Sequence, residues 1–255
     1  METILLAALL LSVAAHGAVP NPAPTSSMAM PKLHLIGDST MANKPTDPPN
    51  PEHGWGQLLS KVFQEPTMVV NYAMNGRSTK SFIDEGRWKE VVDALQAGDW
   101  VIIQFAHNDE KRENPAVFAE ARGAYQENLR RFISESRAKQ ANPILATPIV
   151  RRSWDAAGHL VETHGDYPEA MRAVATAEKV PLLEMNKLSA AMVEGHGVEG
   201  SKRIYLWIQP GAYARQPAGW QDNTHFSAYG AERVAALAVQ ELIRLQLSLA
   251  DWLRR

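Results

Sequence analysis

Gly37-Asp38-Ser39-Thr40 closes a short apolar run over 33–36, so Ser39 falls in the turn at a strand's carboxyl end. In open α/β sheets that edge is where ligands bind. A serine hydroxyl is a poor nucleophile until a base takes its proton and a third group orients the base. Both partners occur far along the chain, in Asp222-Asn223-Thr224-His225, just ahead of a long helical stretch. The short gap between Asp222 and His225 lets a carboxylate reach one side of the imidazole and leaves the other ring nitrogen for Ser39. Ser, Asp and His are the ingredients of nucleophilic acyl transfer. Two more strand ends finish in Asn75-Gly76-Arg77-Ser78 and His107-Asn108-Asp109. The backbone N–H of Gly76 and the side-chain amide of Asn108 can join the amide of Ser39 in an oxyanion hole. The Gly-x-Ser-x-Gly nucleophile elbow is absent, which disfavours the ordinary α/β-hydrolase plan.

Each block also has a plainer structural use. Asp38 and Ser39 can cap a helix or shape a turn. Gly76 suits a turn with positive φ, Asn108 a helix cap, and His225 a hydrogen-bonded core position. Asp222, His225, His107 and Asp109 can instead ligate a divalent metal. No compact His-x-x-x-His set supports that alternative, so neither a metal nor a cofactor is expected.

The elements that must position these groups alternate strand and helix. Strands are predicted over 32–36, 68–71, 100–105, 144–149 and 182–183. Residues 100–105 are apolar apart from Gln104, as suits a central parallel strand covered on both faces. Helices are predicted from Gly54-Trp55-Gly56 through Leu58, Leu59 and Val62, through Trp88, Val91, Val92 and Leu95, and over 115–139, 169–179, 187–193 and 228–249. Residues 43–53, rich in Pro, are read as loop, and 205–223 as irregular. Such alternation predicts right-handed crossovers and an α/β fold, one parallel sheet between two layers of helices.

The chain of 255 residues fits one large domain over 32–255, with a core that needs no staples. A formal net charge of -2 offers no basic field for nucleic acid, and no interior apolar stretch is long enough to span a membrane. Residues 4–15 are almost wholly apolar, the length of a signal-peptide core, and Ala15-His16-Gly17 supplies small residues for cleavage. The reading is a signal peptide over 1–17, a Pro- and Ser-rich leader over 18–31, and a secreted or periplasmic protein that acts as a monomer. Met1-Glu2-Thr3 lacks the usual positive charge of such signals. Cysteine is absent, which excludes disulfides and thiol nucleophiles.

Together the blocks Gly37-Asp38-Ser39, Gly76, His107-Asn108-Asp109 and Asp222-Asn223-Thr224-His225 resemble the SGNH (GDSL-type) hydrolases. Within that superfamily, several stretches resemble the rhamnogalacturonan acetylesterases: Gly54-Trp55-Gly56, Asn75 to Thr79, Phe82 to Trp88, Gln104 to Asp109, Thr147 to Arg152 and His164 to Pro168. Ala106 is a departure, standing where such enzymes often carry Gly. The resemblance implies a three-layer, flavodoxin-like fold with a central five-stranded parallel sheet. It also implies metal-independent removal of acetyl groups from pectic polysaccharide, with Ser39, Asp222 and His225 catalytic and Ser39, Gly76 and Asn108 around the oxyanion. Arg77, Arg151, Arg152 and Lys80 are candidates to meet uronate carboxylates. Trp55, Trp207 and Trp220 are candidates to offer flat faces to sugar rings. Acetylxylan, lipid-ester and thioester substrates remain the competing enzyme readings, and a carbohydrate-binding protein without catalysis is the non-enzyme one.

Overall fold

In chain order the elements are β1 (Leu33–Gly37), β2 (Glu52–His53), α1 (Trp55–Leu59), β3 (Val69–Asn71), α2 (Thr79–Asp84), α3 (Arg87–Ala94), β4 (Trp100–Gln104), α4 (Ala124–Ala138), β5 (Asn142–Ala146), α5 (Tyr167–Glu178), β6 (Leu182–Leu183), α6 (Met185–Gly200), β7 (Tyr205–Ile208), β8 (Trp220–Ser227) and α7 (Ala228–Arg244). They come from a computed structural model that describes residues 30–46, 49–214 and 216–254. The expected signal segment, and the leader up to residue 29, lie outside the described residues.

Five parallel strands form the central sheet in the order β3-β1-β4-β5-β6. The expected three-layer α/β fold is thus present. The pleat splits the apolar runs between two cores. Leu33, Leu35, Ile102 and Ile144 pack against α1, α6 and α7, while Ile36, Val101, Ile103 and Leu145 pack against α3, α4 and α5. Successive strand residues face opposite layers, so both faces must be apolar. β1 has β3 on one side and β4 on the other, which makes its carboxyl end the topological switch point of the sheet. Ser39 comes just after it.

Several expected boundaries shift. Residues 115–123 are turns and irregular backbone, and α4 begins only at Ala124, after Gly123. The short helix α2 is capped by a reciprocal pair, with the Ser78 hydroxyl accepting from the Ser81 N–H and the Ser81 side chain accepting from the Ser78 N–H. The largest correction concerns residues 205–223, expected to be irregular. β7 and β8 form an antiparallel hairpin there, and β2, from the stretch expected to be loop, pairs with the outer side of β8. This small second sheet carries Asp222 and His225.

Candidate active site

Ser39 is presented by a turn built from its neighbours. Asp38, fully buried, accepts from the N–H and hydroxyl of Thr40 through Oδ1 (2.9 and 2.8 Å). Its Oδ2 lies 3.1 Å from His107 Nδ1. Burial opposes the Asp38 charge, but His107 and the Thr40 donors outweigh it and hold the carboxyl at about 2. Burial in turn pushes His107 below its ordinary value, against the Asp38 carboxylate that favours its charged form. The Gly-Trp-Gly block backs this turn. A Cβ on Gly54 would stand 2.1 Å from the carbonyl oxygen of Ala42, so only glycine lets α1 start this close. Trp55, which is fully buried, donates its indole N–H to Gln104 Oε1 at 2.8 Å. That burial removes Trp55 from the sugar-stacking candidates.

The second sheet delivers His225. On β7 one step separates Tyr205 from Leu206, whereas their partners on β8 are Phe226 and Asp222, so Asn223, Thr224 and His225 form a bulge. Bulges re-aim side chains beside functional sites. Asp222 shapes this one: its Oδ1 accepts from the N–H groups of Thr224 (2.6 Å) and His225 (2.9 Å), and its Oδ2 lies 2.7 Å from His225 Nδ1. His225 Nε2 then lies 2.8 Å from Ser39 Oγ. Burial works against a charged imidazole, but the hydrogen bond and charge of Asp222 outweigh it, with help from Glu52, and His225 titrates above its usual range. The same contacts hold Asp222 well below the usual carboxylate range against the opposing effect of burial.

Ser39 and His225 share a cavity of about 510 Å³ with Gly76, Asn75, His107, Asn108, Thr224, Glu52, Lys111 and Arg151. Gly76 adopts φ +77°, the left-handed conformation that glycine takes without strain. The Asn108 amide donates to the carbonyl oxygen of Arg77 at 3.0 Å, joining its own loop to the Gly76 loop. Asp109, buried behind it, accepts from the N–H of Thr79 at 2.9 Å and from its hydroxyl at 2.5 Å, tying the loop after β4 to α2. Phe105 stacks on Phe132 at 5.8 Å between ring centres and meets Phe82 edge-on at 5.5 Å, which anchors the end of β4. Ala106 is fully buried, with φ 159°.

The structure therefore brings Ser39, Asp222, His225, Gly76 and Asn108 together. The candidate substrate residues divide. Arg151 lines the cavity, paired with Glu110 and donating to Thr163 Oγ1 at 3.1 Å. Trp220, 48% exposed, lines an adjoining depression with Pro49, Pro51, Ile208, Tyr213 and His225. Arg77 is spent on Glu85 (2.9 Å) and the carbonyl oxygen of Asn75 (2.8 Å), and Lys80 on Asp84 (2.8 Å). Arg152 is a buried strut to Ser201, Val198 and Asn223, with Trp207 packed against it at 4.7 Å, and neither lines the Ser39 cavity. Sequence reasoning missed Lys111, whose Nζ donates to Asn108 Oδ1 at 2.8 Å and so sets which end of that amide donates. Its place three residues after Asn108, in a turn closed from the Lys111 N–H to the Asn108 carbonyl, was the available signal. Among the described residues, no group of three His, Cys, Asp or Glu converges as a metal site.

Residues 35–233 match the profile of the GDSL-like Lipase/Acylhydrolase family. The chain belongs to that family. This GDSL-family chain is 37% identical over 222 residues to the rhamnogalacturonan acetylesterase RhgT of Bacillus subtilis, a match covering 87% of this chain and 94% of the relative. A rhamnogalacturonan acetylesterase of Emericella nidulans is 25% identical over 245 residues, covering 88% and 89% of the two chains. Among solved structures, YxiM of Bacillus subtilis aligns with a TM-score of 0.72 at 27% identity, over 86% of this chain and 57% of that one. A catalytic mutant of the acetylxylan esterase Axe2 of Geobacillus stearothermophilus shares the fold at a TM-score of 0.56 and 22% identity, over 83% of this chain and 94% of that one.

Proposed function

We propose that the chain is a serine carbohydrate acetylesterase that removes acetyl groups from an acidic, pectic polysaccharide of the rhamnogalacturonan class. The observation that carries the chemistry is the hydrogen-bonded line from Ser39 Oγ to His225 Nε2 (2.8 Å) and on from His225 Nδ1 to Asp222 (2.7 Å). Ser39 Oγ attacks the acetyl carbonyl carbon and passes its proton to His225 Nε2. The oxyanion is met by the N–H groups of Ser39 and Gly76 and by the Asn108 amide. Collapse breaks the ester bond, and the departing sugar oxygen takes the proton from His225. Water then gives a proton to His225 and attacks the acetyl-enzyme, releasing acetate and restoring the Ser39 hydroxyl. Loss of one oxyanion donor costs about 10²–10³ in kcat. Asn108→Ala, which removes the N–H donors without adding charge, is expected to show that loss on a small acetyl ester with unchanged circular dichroism. Undiminished turnover would remove Asn108 from this role.

The pectic reading is supported by the named acetylesterase relatives and by the cations at the cavity. Arg151 is partly neutralised by Glu110, whereas Lys111 has no carboxylate partner among the described ion pairs. An exposed ammonium at the edge of a cavity this size suits the carboxylate of a uronate ring held beside the acetyl group. Acetate release from acetylated rhamnogalacturonan and from acetylated xylan tests it. The pectic polymer is expected to be preferred at low salt. Lys111→Met is expected to shrink that preference about tenfold, the worth of roughly one charge-assisted hydrogen bond. A wild-type preference for xylan would keep the chemistry and move the substrate. Export, guided by the apolar stretch 4–15, belongs to the same proposal and would place the enzyme where such polymers occur.

A further inference from the structure

Lys44 lies five positions beyond Ser39, in the Pro-rich stretch, and its side chain is only 2% exposed. A buried ammonium must find partners or lose its charge. Lys44 Nζ sits 2.6 Å from Glu52 Oε1 and donates to Asn75 Oδ1 at 2.5 Å. Its backbone is gripped from both sides by one side chain: the Lys44 N–H donates to Gln57 Oε1 at 3.2 Å, and Gln57 Nε2 donates to the Lys44 carbonyl at 3.1 Å.

These partners belong to separate parts of the site. Glu52 is on β2, opposite Ser227 and so two residues beyond His225 on β8. Asn75 immediately precedes Gly76. We propose that Lys44 is a positioning residue that fixes the distance between the Ser39 turn, the His225 strand and the Gly76 loop through one buried cation. The inference rests on the serine-esterase reading above and is independent of which sugar carries the acetyl group.

The pair also faces the base. The charged groups around His225 are Asp222 from β8, Glu52 from β2 and Lys44 from the turn after β1, with Lys111 and Arg151 on the same cavity wall. Removing the Lys44 charge alone leaves Glu52 to favour the imidazolium, so the acid limb of kcat/KM moves to higher pH.

The test uses a small neutral acetyl ester, which makes no demand on sugar contacts. Replacing both members of a buried ion pair by uncharged groups of similar shape is close to neutral for stability. The double variant Lys44→Met/Glu52→Gln is therefore expected to keep its melting temperature. Its kcat is expected to fall about ten- to a hundredfold with KM little changed, as displaced catalytic groups do. Lys44→Met alone is expected to shift the acid limb upward, a change that a purely structural lysine would not cause. Asn75→Ala, at an exposed position, cuts the link to the Gly76 loop without a folding risk and is expected to lower kcat in the same direction. A folded double variant or an Asn75→Ala enzyme with wild-type kcat overturns the proposal, as does an unmoved acid limb in Lys44→Met. Ser39→Ala runs alongside. Activity surviving in that variant overturns the serine reading itself, and its loss beside an intact Lys44 double variant overturns only the role of Lys44.

Discussion

Ser39→Ala is expected to lower kcat for acetate release by about 10⁶, the scale on which serine nucleophiles act together with their base. The expectation rests on how little else is available at the site. Ser39 is the hydroxyl on the Nε2 side of His225, at 2.8 Å. The other hydroxyl of that turn, Thr40, is buried and directed at Asp38. The variant removes one oxygen atom and leaves the Asp38–Thr40 turn and the Trp55–Gln104 contact in place, so its ellipticity and melting temperature are expected to match the parent. Acetate release measured from an acetylated polymer and from a small ester should fall together. A variant that retains either activity would dismiss Ser39 as nucleophile.

Asp222→Asn is expected to lower kcat by about 10⁴, as loss of the orienting carboxylate does in serine hydrolases. Asp222 does two things at once, and the substitution separates them. The Oδ1 contacts that build the bulge, with the N–H groups of Thr224 and His225, can be kept by the amide oxygen. The amide nitrogen then faces His225 Nδ1, where an acceptor stood at 2.7 Å. Two donors cannot pair, so the imidazole turns to the tautomer with its proton toward Ser39, and no base remains. The pH profile carries a second signature. His225 must be neutral to take a proton, so activity is lost as pH falls through its raised pKa. Without the Asp222 charge that pKa falls, and the residual activity of Asp222→Asn is expected to hold to lower pH than the parent. An acid limb that does not move, or a kcat within a factor of about ten of the parent, contradicts this role for Asp222.

What was legible beforehand follows from how each element is stabilised. β1, β4 and β5 are buried on both faces, so their apolar runs advertise them. That the blocks ending these strands and the Asp222–His225 pair would converge was legible from residue type and order. The second sheet was not. Trp220 to His225 is largely polar and half-exposed, and the pairing that makes it a strand comes from β7, a run of only four apolar residues, and the two-residue β2. Helix α6 runs past residue 193, its expected end, as far as Gly200, although Gly197 departs from helical geometry at φ +69°. Arg152 and Trp207 looked like substrate groups by type alone, and only packing reveals that they brace β8. Lys44 was hidden for the opposite reason. Nothing in a Pro-rich polar stretch signals that one of its lysines is buried.

The placement of His225 on a ribbon apart from the main sheet also has a meaning in time. During synthesis Ser39 is made 186 residues before its base, and the ribbon cannot close until Trp220–Ser227 reaches both Glu52–His53 and Tyr205–Ile208. A nascent or half-folded chain thus displays a serine that is chemically ordinary. On the serine reading proposed above, hydrolysis therefore waits until that ribbon has closed.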